Sequence, residues 1–176
     1  MQGKWRNRLK RAEESGLEIT HQTPRCEDLH WLLQKDTAQQ RRKGFRALPH
    51  AFLQGWQAAG GGLSLFSAHH KGQRLAAMLF LEHTPGVSYH IGWTSLEGRK
   101  KGAHNLILWQ AMQELRETCQ RLDLGQIDTV NTPGLARFKL GAGAEPVEIG
   151  PTRLILPVPH RQSHQPIGTT RTGTAL

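Results

Sequence analysis

The sequence predicts an α+β fold in which helices pack on both faces of a mixed, mostly antiparallel sheet. Three strand-like segments precede the strongest helix of the chain, over residues 63–68, 74–82 and 87–93. The second segment is apolar at every position from 75 to 81, which is typical of a central strand covered on both faces. Because three strands come before the first long helix, a doubly wound Rossmann order is not favoured.

The first 60 residues are predicted to be mainly helical. A basic helix opens the chain and ends at Gly16, and it places Trp5, Leu9 and Ala12 on one apolar stripe. A short strand and two further helices follow, over residues 17–21, 26–43 and 51–59. Three consecutive glycines at 60–62 then end the helical region.

The long helix is predicted over residues 103–119, where apolar side chains recur at helical spacing. Four shorter elements follow it, a strand, a helix and two strands, over residues 122–124, 133–141, 147–149 and 154–156. Pro133 suits the first position of the predicted helix, because a proline there gives up an amide that has no helical partner.

Composition changes at Pro157. Beyond it, His, Gln, Ser, Pro, Gly and Thr replace the large apolar residues, so residues 158–176 are predicted to be a disordered polar tail. Residues 1–157 are expected to form one domain, with 1–16 as its entry helix, because 37% of the 176 residues are apolar and one core can be built from them.

The net charge favours an anionic partner. The chain has 23 Lys and Arg against 14 Asp and Glu, a formal net charge of +9. Nucleic acid, a phosphorylated cofactor or an acidic lipid would suit this excess. The longest apolar run is too short to cross a membrane, and the basic first residues have no apolar stretch behind them, so we expect no secretory signal and a cytoplasmic protein.

No metal site is expected. The two cysteines, Cys26 and Cys119, supply neither a disulfide framework nor the set of thiolates that a structural zinc site needs. The adjacent His69 and His70 would point to opposite faces of a strand, without a carboxylate or thiol at ligand spacing.

The segment between the third strand and the long helix carries a candidate anion site. Backbone N–H groups at a helix start lack intrahelical partners and attract phosphate, and glycine lets an anion approach closely. The residues assigned to this site are Arg99, Lys100, Lys101, Gly102, Ala103, His104 and Asn105. Neither a Walker loop nor a G-x-G-x-x-G fingerprint is present, and the alternative is an ordinary basic turn before a helix.

Arg99-x-x-Gly102 resembles the pyrophosphate loop of GNAT N-acyltransferases, although the family's last glycine or alanine is replaced by His104. Four further segments resemble the FemAB-like branch of that superfamily (peptidoglycan bridge aminoacyltransferases and BioF2-like acetyltransferase domains), at residues 4–12, 101–109, 122–125 and 133–141. The resemblance extends over residues 4–156 and implies a GNAT-like fold.

The resemblance also implies an activity, the transfer of an acyl or aminoacyl group to an amine. FemAB members take the group from charged tRNA and attach it to a peptidoglycan precursor, whereas other members of the superfamily use acyl-CoA. Both carriers are polyanions, so the net charge of +9 suits either of them and does not distinguish aminoacyl-tRNA from acyl-CoA. No permanently bound cofactor is expected.

Catalytic roles follow from the resemblance for a few residues. Lys139 matches a lysine near the reacting carbonyl, where an ammonium stabilises the developing oxyanion; the alternative is a lysine that complements a helix dipole. Phe138 would line the substrate pocket or belong to the core. Asp128 and Asp123 are candidate general bases. Tyr89, or the neighbouring His90 on the opposite face of its strand, is the candidate proton donor.

FemAB members contain two GNAT-like lobes, and this chain resembles the second of them. The acceptor is therefore not predicted, and a second copy or a partner protein is expected to complete the acceptor cleft. The rival interpretation is a non-catalytic module, either a basic RNA-binding fold or a remnant lobe. The sparse aromatic residues, with Tyr89 as the only tyrosine, do not favour base stacking.

Overall fold

The computed structural model describes residues 1–150, and it confirms the predicted α+β class. The strands are β1 (Glu18–Gln22), β2 (Gly62–His70), β3 (Gln73–His83), β4 (Gly86–Thr94) and β5 (Arg121–Asp123). The helices are α1 (Gly3–Glu13), α2 (His30–Lys43), α3 (Ala51–Ala58), α4 (Leu96–Lys100), α5 (Ala103–Leu115) and α6 (Pro133–Gly141). A 3-10 turn, Cys26–Leu29, leads into α2.

The sheet is mixed and mostly antiparallel. Its strands lie in the order β1-β2-β3-β4-β5, and only the pairing of β4 with β5 is parallel. β3 is central and buried over most of its length, as its uniformly apolar sequence predicts. Residues Met1–Pro146 form one compact unit.

Each face of the sheet carries its own apolar core. On one face, Phe66, Met78 and Phe80 pack with side chains of α1 and α5. On the other face, Leu65 and Leu79 pack with Leu side chains of α2 and α3. Successive residues of a strand point to opposite faces, so β2 and β3 supply both cores at once.

The entry helix α1 packs on the core through the apolar stripe that the sequence predicts. Trp5, Leu9 and Ala12 are buried, and the indole of Trp5 lies 6.2 Å from the ring of Phe138, measured between centroids. The backbone N–H of Gln2 donates to the carbonyl of Gly141 at 2.9 Å, which ties the start of α1 to the end of α6.

A bulge in β4 redirects the second half of that strand. Phe80 of β3 pairs with Tyr89, and the preceding Leu79 pairs with Ile91, so His90 is the extra residue. Tyr89 consequently faces the core of α1 and α5, whereas Ile91 faces the core of α2 and α3.

β5 leaves part of β4 without a neighbour. The parallel pairing covers only Gly86, Val87 and Ser88 of β4. From Tyr89 to Thr94, the edge of β4 therefore faces no strand within residues 1–150. We call this edge the β4 opening.

Around the candidate anion site, the structure differs from the prediction before the long helix and at its end. The segment before the long helix contains a helical turn, α4, instead of a continuous loop: the hydroxyl of Ser95 accepts from the N–H of Gly98 at 3.0 Å and caps it. Gly98 also lies against the carbonyl of Leu75, where a Cβ would collide, so its place in the sequence reflects packing. The long helix ends at Leu115, four residues before Cys119.

The predicted strand at residues 147–149 is wrong, because the structure has no strand there. Pro146 has no amide to donate, and Gly150 and Pro151 follow at once, so at most a three-residue strand was available. The predicted strand at 154–156, the boundary at 157 and the tail at 158–176 lie outside the described residues. Within the described part, no helix is long and apolar enough to cross a membrane.

Candidate active site

Tyr89 lies in the β4 opening with its ring half-buried. Its hydroxyl rests against Gly92, where a Cβ would overlap it, so the glycine makes room for the phenol. Burial, with a smaller contribution from the charge of Asp36, raises the pKa of Tyr89 to about 12. The hydroxyl is therefore protonated at neutral pH, as a proton donor must be.

Lys139 comes from the last turn of α6 and is 5% exposed. Its Nζ donates to the carbonyl of Gln126 at 2.8 Å and lies 6.0 Å from the centroid of the Tyr89 ring. Burial lowers the pKa of Lys139, and the charge of Asp123 partly opposes this effect. No carboxylate of residues 1–150 forms a salt bridge with this ammonium, so its charge is available to an anion.

Phe138 and His104 border this pair. The ring of Phe138 lies between those of Trp5 and His104, at centroid distances of 6.2 and 6.3 Å, and packs against the core. The Nε2–H of His104 donates to the carbonyl of Trp93 at 2.9 Å. Burial lowers the pKa of His104 to about 4, so the imidazole is neutral at physiological pH and adds no positive charge to the helix start.

The N-terminus of α5 has the free amides that the sequence predicts. Gly102 caps the helix with φ of 72°, and its carbonyl accepts from the N–H of Asn105 at 2.9 Å. The N–H groups of Ala103 and His104 meet no acceptor within residues 1–150. The bare Cα of Gly102 faces α1: an added Cβ would lie 3.3 Å from the carbonyl oxygen of Arg8. Close packing of the two helices therefore also requires this glycine.

The basic side chains of the segment have different roles. Arg99 and Lys100 are exposed on α4. The Nζ of Lys101 instead donates to the carbonyl of Ser15 at 3.0 Å, just past the end of α1, so this charge stabilises a helix terminus. The buried amide Nδ2 of Asn105 meets no acceptor in the described part of the chain.

The end of α2 adds positive charge, because its last turn contains Arg41, Arg42 and Lys43. Burial first, and then the charges of Arg42 and Arg99, lower the pKa of Lys43. Arg99 and Lys43 also contribute to the lowered pKa of His104 on the first turn of α5. We call Arg42, Lys43 and Arg99 the basic cluster; two of its charges, those of Arg99 and Lys43, act on His104, whose backbone N–H is one of the free amides of α5.

The two candidate bases from the sequence bind their own loops. Asp128 is exposed, and Oδ1 accepts from the N–H groups of Val130 and Asn131 at 2.9 and 2.7 Å. A hydrogen bond from the Asn131 side chain first, and then these backbone bonds, lower the pKa of Asp128 and weaken it as a base. Asp123 accepts from the N–H of Gly125 at 2.6 Å. A catalytic role for Asp128 stays a prediction.

Asp36 on α2 is a residue that the sequence analysis missed. It is 6% exposed and is the one buried carboxylate in the described part of the chain. The amide of Gln40 donates to Oδ2 at 2.6 Å, and Nε2 of His50 lies 3.9 Å from the same oxygen. Its signal was present in the sequence, because Asp36 follows Leu29 and Leu32 on the apolar stripe of the predicted helix.

The family is decided by a comparison with protein families. The model described as "Acetyltransferase (GNAT) domain" matches residues 2–146, which is most of the chain. The chain belongs to the GNAT acetyltransferase family. This GNAT chain is therefore an acyltransferase, and its mixed sheet with helices on both faces is the family's fold. A comparison with curated proteins finds no relative.

Solved structures share the GNAT fold at low identity. An aminoglycoside acetyltransferase from an uncultured soil metagenomic sample, in complex with sisomicin, has a TM-score of 0.57 at 15% identity, with 81% of this chain and 99% of that chain covered. A predicted acetyltransferase with acetyl-CoA from Clostridium acetobutylicum has a TM-score of 0.54 at 14% identity, with 78% and 96% covered.

FemX also matches, with a TM-score of 0.58 at 13% identity. The match covers 73% of this chain and 49% of FemX, so the chain spans about half of that protein. At these identities the three structures share the fold, and the acceptor of this GNAT chain does not follow from them.

Proposed function

We propose that the chain transfers an acyl group from acyl-CoA to an amine, with the reacting carbonyl in the β4 opening. One observation carries the proposal: a buried Lys139 ammonium, without a salt bridge to any carboxylate of residues 1–150, lies 6.0 Å from the centroid of the Tyr89 ring, whose hydroxyl is protonated. Both groups meet where β5 leaves β4 unpaired.

The donor would bind through its phosphates at the start of α5. The free N–H groups of Ala103 and His104 and the positive end of the helix dipole attract an anion. The basic cluster and the exposed Lys100 add charge beside them. The acetyl-CoA complex of the Clostridium acetobutylicum neighbour supports this class of donor.

The chemistry assigned to the opening is acyl transfer through a tetrahedral intermediate. The amine attacks the thioester carbonyl, the C–N bond forms, and negative charge develops on the carbonyl oxygen. A buried ammonium at Lys139 stabilises this charge strongly because little water screens it, an effect worth about 10²–10³ in rate. When the C–S bond breaks, the hydroxyl of Tyr89 supplies a proton to the leaving thiolate.

A second donor is favoured by a separate observation. FemX is among the structural neighbours, and Lys4, Arg6, Arg8 and Lys10 expose basic side chains on α1. A FemAB-like enzyme would bind aminoacyl-tRNA on such a surface and modify a peptidoglycan precursor. The need for a second copy or a partner protein to complete the acceptor cleft stays a prediction.

Donor binding separates these proposals. We expect CoA and acetyl-CoA to raise the melting temperature of the protein, and acetyl-CoA to release free thiol only when a primary amine is present. Stabilisation by aminoacyl-tRNA alone would favour the FemAB-like donor. A protein that neither ligand stabilises and that releases no thiol would contradict both forms of the proposal and favour the remnant lobe.

A further inference from the structure

Two tryptophans and two cations meet on the face of the sheet that α2 covers. They are Trp31 and Lys35 on α2, Arg74 on β3 and Trp93 on β4. The two indoles pack edge to face, 6.1 Å apart between centroids. The Cζ of Arg74 lies 4.1 Å from the ring centroid of Trp31, and the Nζ of Lys35 lies 5.5 Å from that of Trp93. We call these four residues the indole–cation cluster.

Arg74 reaches Trp31 because of a bulge in β3. Ala76 pairs with Ala68 of β2, whereas Arg74 pairs with the next residue, His69, so one residue of β3 is extra. Ala76 packs in the core that α1 and α5 cover. In a regular strand Arg74 would point to that same face, because side chains two positions apart do so. The bulge instead places the guanidinium on the ring of Trp31, on the opposite face.

Neither cation of the cluster has a carboxylate partner. Within residues 1–150, both salt bridges involve histidines, and no Lys or Arg forms one. Arg74 is half-buried, and its Nε is buried without an acceptor in that part of the chain. Glu18 lies in the same cross-strand row as Arg74, but His69 separates them. A guanidinium that loses water without gaining an acceptor is costly, so this site favours an anionic ligand.

The packing of the two indoles favours carboxylates over nucleobases and lipids. Each ring carries a cation on one face, and both rings pack against the core of α2 and α3, so neither has a free face for a stacked base. A ring packed in the core is also unable to insert into a bilayer. A guanidinium held on an indole keeps its fork of N–H donors in a fixed orientation, which suits the two oxygens of a carboxylate.

We propose that the indole–cation cluster is a docking site for an acidic peptide segment of a partner protein, with one carboxylate on Arg74 and another on Lys35. The two cations lie over different rings, so a segment with several carboxylates engages both of them. The net charge of +9 attracts such a segment from a distance. Trp93 belongs to the β4 opening, so a docked segment lies beside that edge. The inference does not depend on the proposed acyl transfer.

The first test is a titration of the unmodified ¹⁵N-labelled protein with octaglutamate, followed through the indole N–H signals of its five tryptophans. We expect the signals of Trp31 and Trp93 to shift until the site is saturated, whereas those of Trp5, Trp56 and Trp109 stay in place. The neutral octaglutamine is the control peptide. Equal shifts with both peptides, shifts spread over all the indoles, or no shift at millimolar octaglutamate would overturn the inference.

The second test measures the affinity for fluorescein-labelled octaglutamate by anisotropy. Arg74→Gln should weaken binding about tenfold or more, and Lys35→Gln about threefold or more. Lys35 is exposed on α2, so its variant is informative even if Arg74→Gln disturbs the packing on Trp31. Arg116→Gln and Arg137→Gln, which remove exposed charges elsewhere, should stay within about twofold of wild type. Equal losses in all four variants would reflect net charge alone and overturn the inference.

Competition experiments test the class of partner and separate the cluster from the donor site. Saturating CoA should leave the affinity for octaglutamate within about twofold, and displacement of the peptide by CoA would overturn a separate site. Tighter binding of an RNA octamer or of phosphatidylglycerol vesicles than of octaglutamate, lost in Arg74→Gln, would overturn the assignment to an acidic peptide. None of these measurements needs turnover of acetyl-CoA, so a failure of the proposed acyl transfer would leave their outcomes unchanged.

Discussion

Two regions that the sequence assigns to function are built in different ways. The anion site is one continuous segment, Arg99 to Asn105, and part of that segment also holds the fold together: Lys101 caps α1 and Gly102 packs against it. The Lys139–Tyr89 pair joins two elements 50 positions apart and is a buried cation on an aromatic face.

The comparison shows that neighbouring residues of one continuous motif have different roles. Within the continuous segment, the backbone N–H groups and Arg99 remain available to a ligand, whereas the His104 ring is neutral and bound to a carbonyl. In the distant pair, Lys139 donates one hydrogen bond, to the carbonyl of Gln126, and forms no salt bridge within residues 1–150. We therefore expect substitutions in the two regions to separate catalysis from stability.

The largest expected effect is at Lys139. Lys139→Met keeps the length of the side chain and removes its charge, so turnover should fall about 10²–10³-fold while the KM for the donor changes little. Steady-state kinetics with acetyl-CoA and a primary amine provides the measurement. The control is Arg137→Met, which removes an exposed charge from the same helix. Equal turnover in the two variants would exclude the oxyanion role of Lys139.

The next effect concerns pH and His104. The pKa of His104 is about 4 in the folded protein and about 6.5 in an unfolded chain, so between these values the unfolded state binds more protons. Stability is therefore lost as pH falls from about 6.5 to about 4, by on the order of 3 kcal/mol.

His104→Gln tests this pH dependence, because glutamine can still donate to the carbonyl of Trp93 but does not titrate. Chemical unfolding at several pH values should give a smaller loss of stability in this variant than in the wild type. His30→Gln, at an exposed histidine, should resemble the wild type. If stability falls with pH equally in the wild type and in His104→Gln, the buried imidazole does not cause the loss of stability at low pH.

Gly102→Ala should lower the free energy of unfolding by about 1–3 kcal/mol, because the backbone has positive φ and the new Cβ would lie 3.3 Å from the Arg8 carbonyl. Gly72 is a matched control: its φ is 75° and no atom lies within 4 Å of an added Cβ. The excess loss in Gly102→Ala over Gly72→Ala measures the contact with α1. If the two variants lose the same free energy of unfolding, the positive φ alone accounts for the loss and the contact with α1 contributes nothing.

The smallest expected effect distinguishes the roles of two neighbouring basic residues, Arg99 and Lys101. Arg99→Ala should weaken acetyl-CoA binding about three- to tenfold, with a shallower salt dependence, and leave stability within about 0.5 kcal/mol of wild type. Lys101→Ala should instead lower the stability and leave the affinity for acetyl-CoA unchanged, because the Nζ of Lys101 donates to the Ser15 carbonyl. Calorimetric titration and thermal unfolding of both variants provide the comparison. A loss of affinity confined to Lys101→Ala would reverse the assignment.

Local patterns were sufficient for most of the fold. The stripe of Trp5, Leu9 and Ala12 and the uniformly apolar β3 predicted which faces are buried. No local pattern predicts the bulge at His90, because the pairing of β3 with β4 determines the bulge and the side chain of His90 does not.

The candidate site was less accessible to sequence reasoning. Lys101 meets Ser15 across 86 positions, and no local pattern reports such a contact. The importance of Lys139 came from a family resemblance, since its burial depends on how α6 packs. Asp36 was accessible in principle, because a carboxylate on an apolar helical stripe must be either paired or functional.

The central claim is that a phosphate-bearing acyl carrier binds at the start of α5 with its acyl end in the β4 opening. A titration of the ¹⁵N-labelled protein with CoA, followed through backbone amide shifts, tests it most directly. The account predicts that the largest shifts fall on Ala103 and His104, with smaller ones at Arg99 and Tyr89. Shifts confined to the basic residues of α1, or no shifts at millimolar CoA, would contradict it.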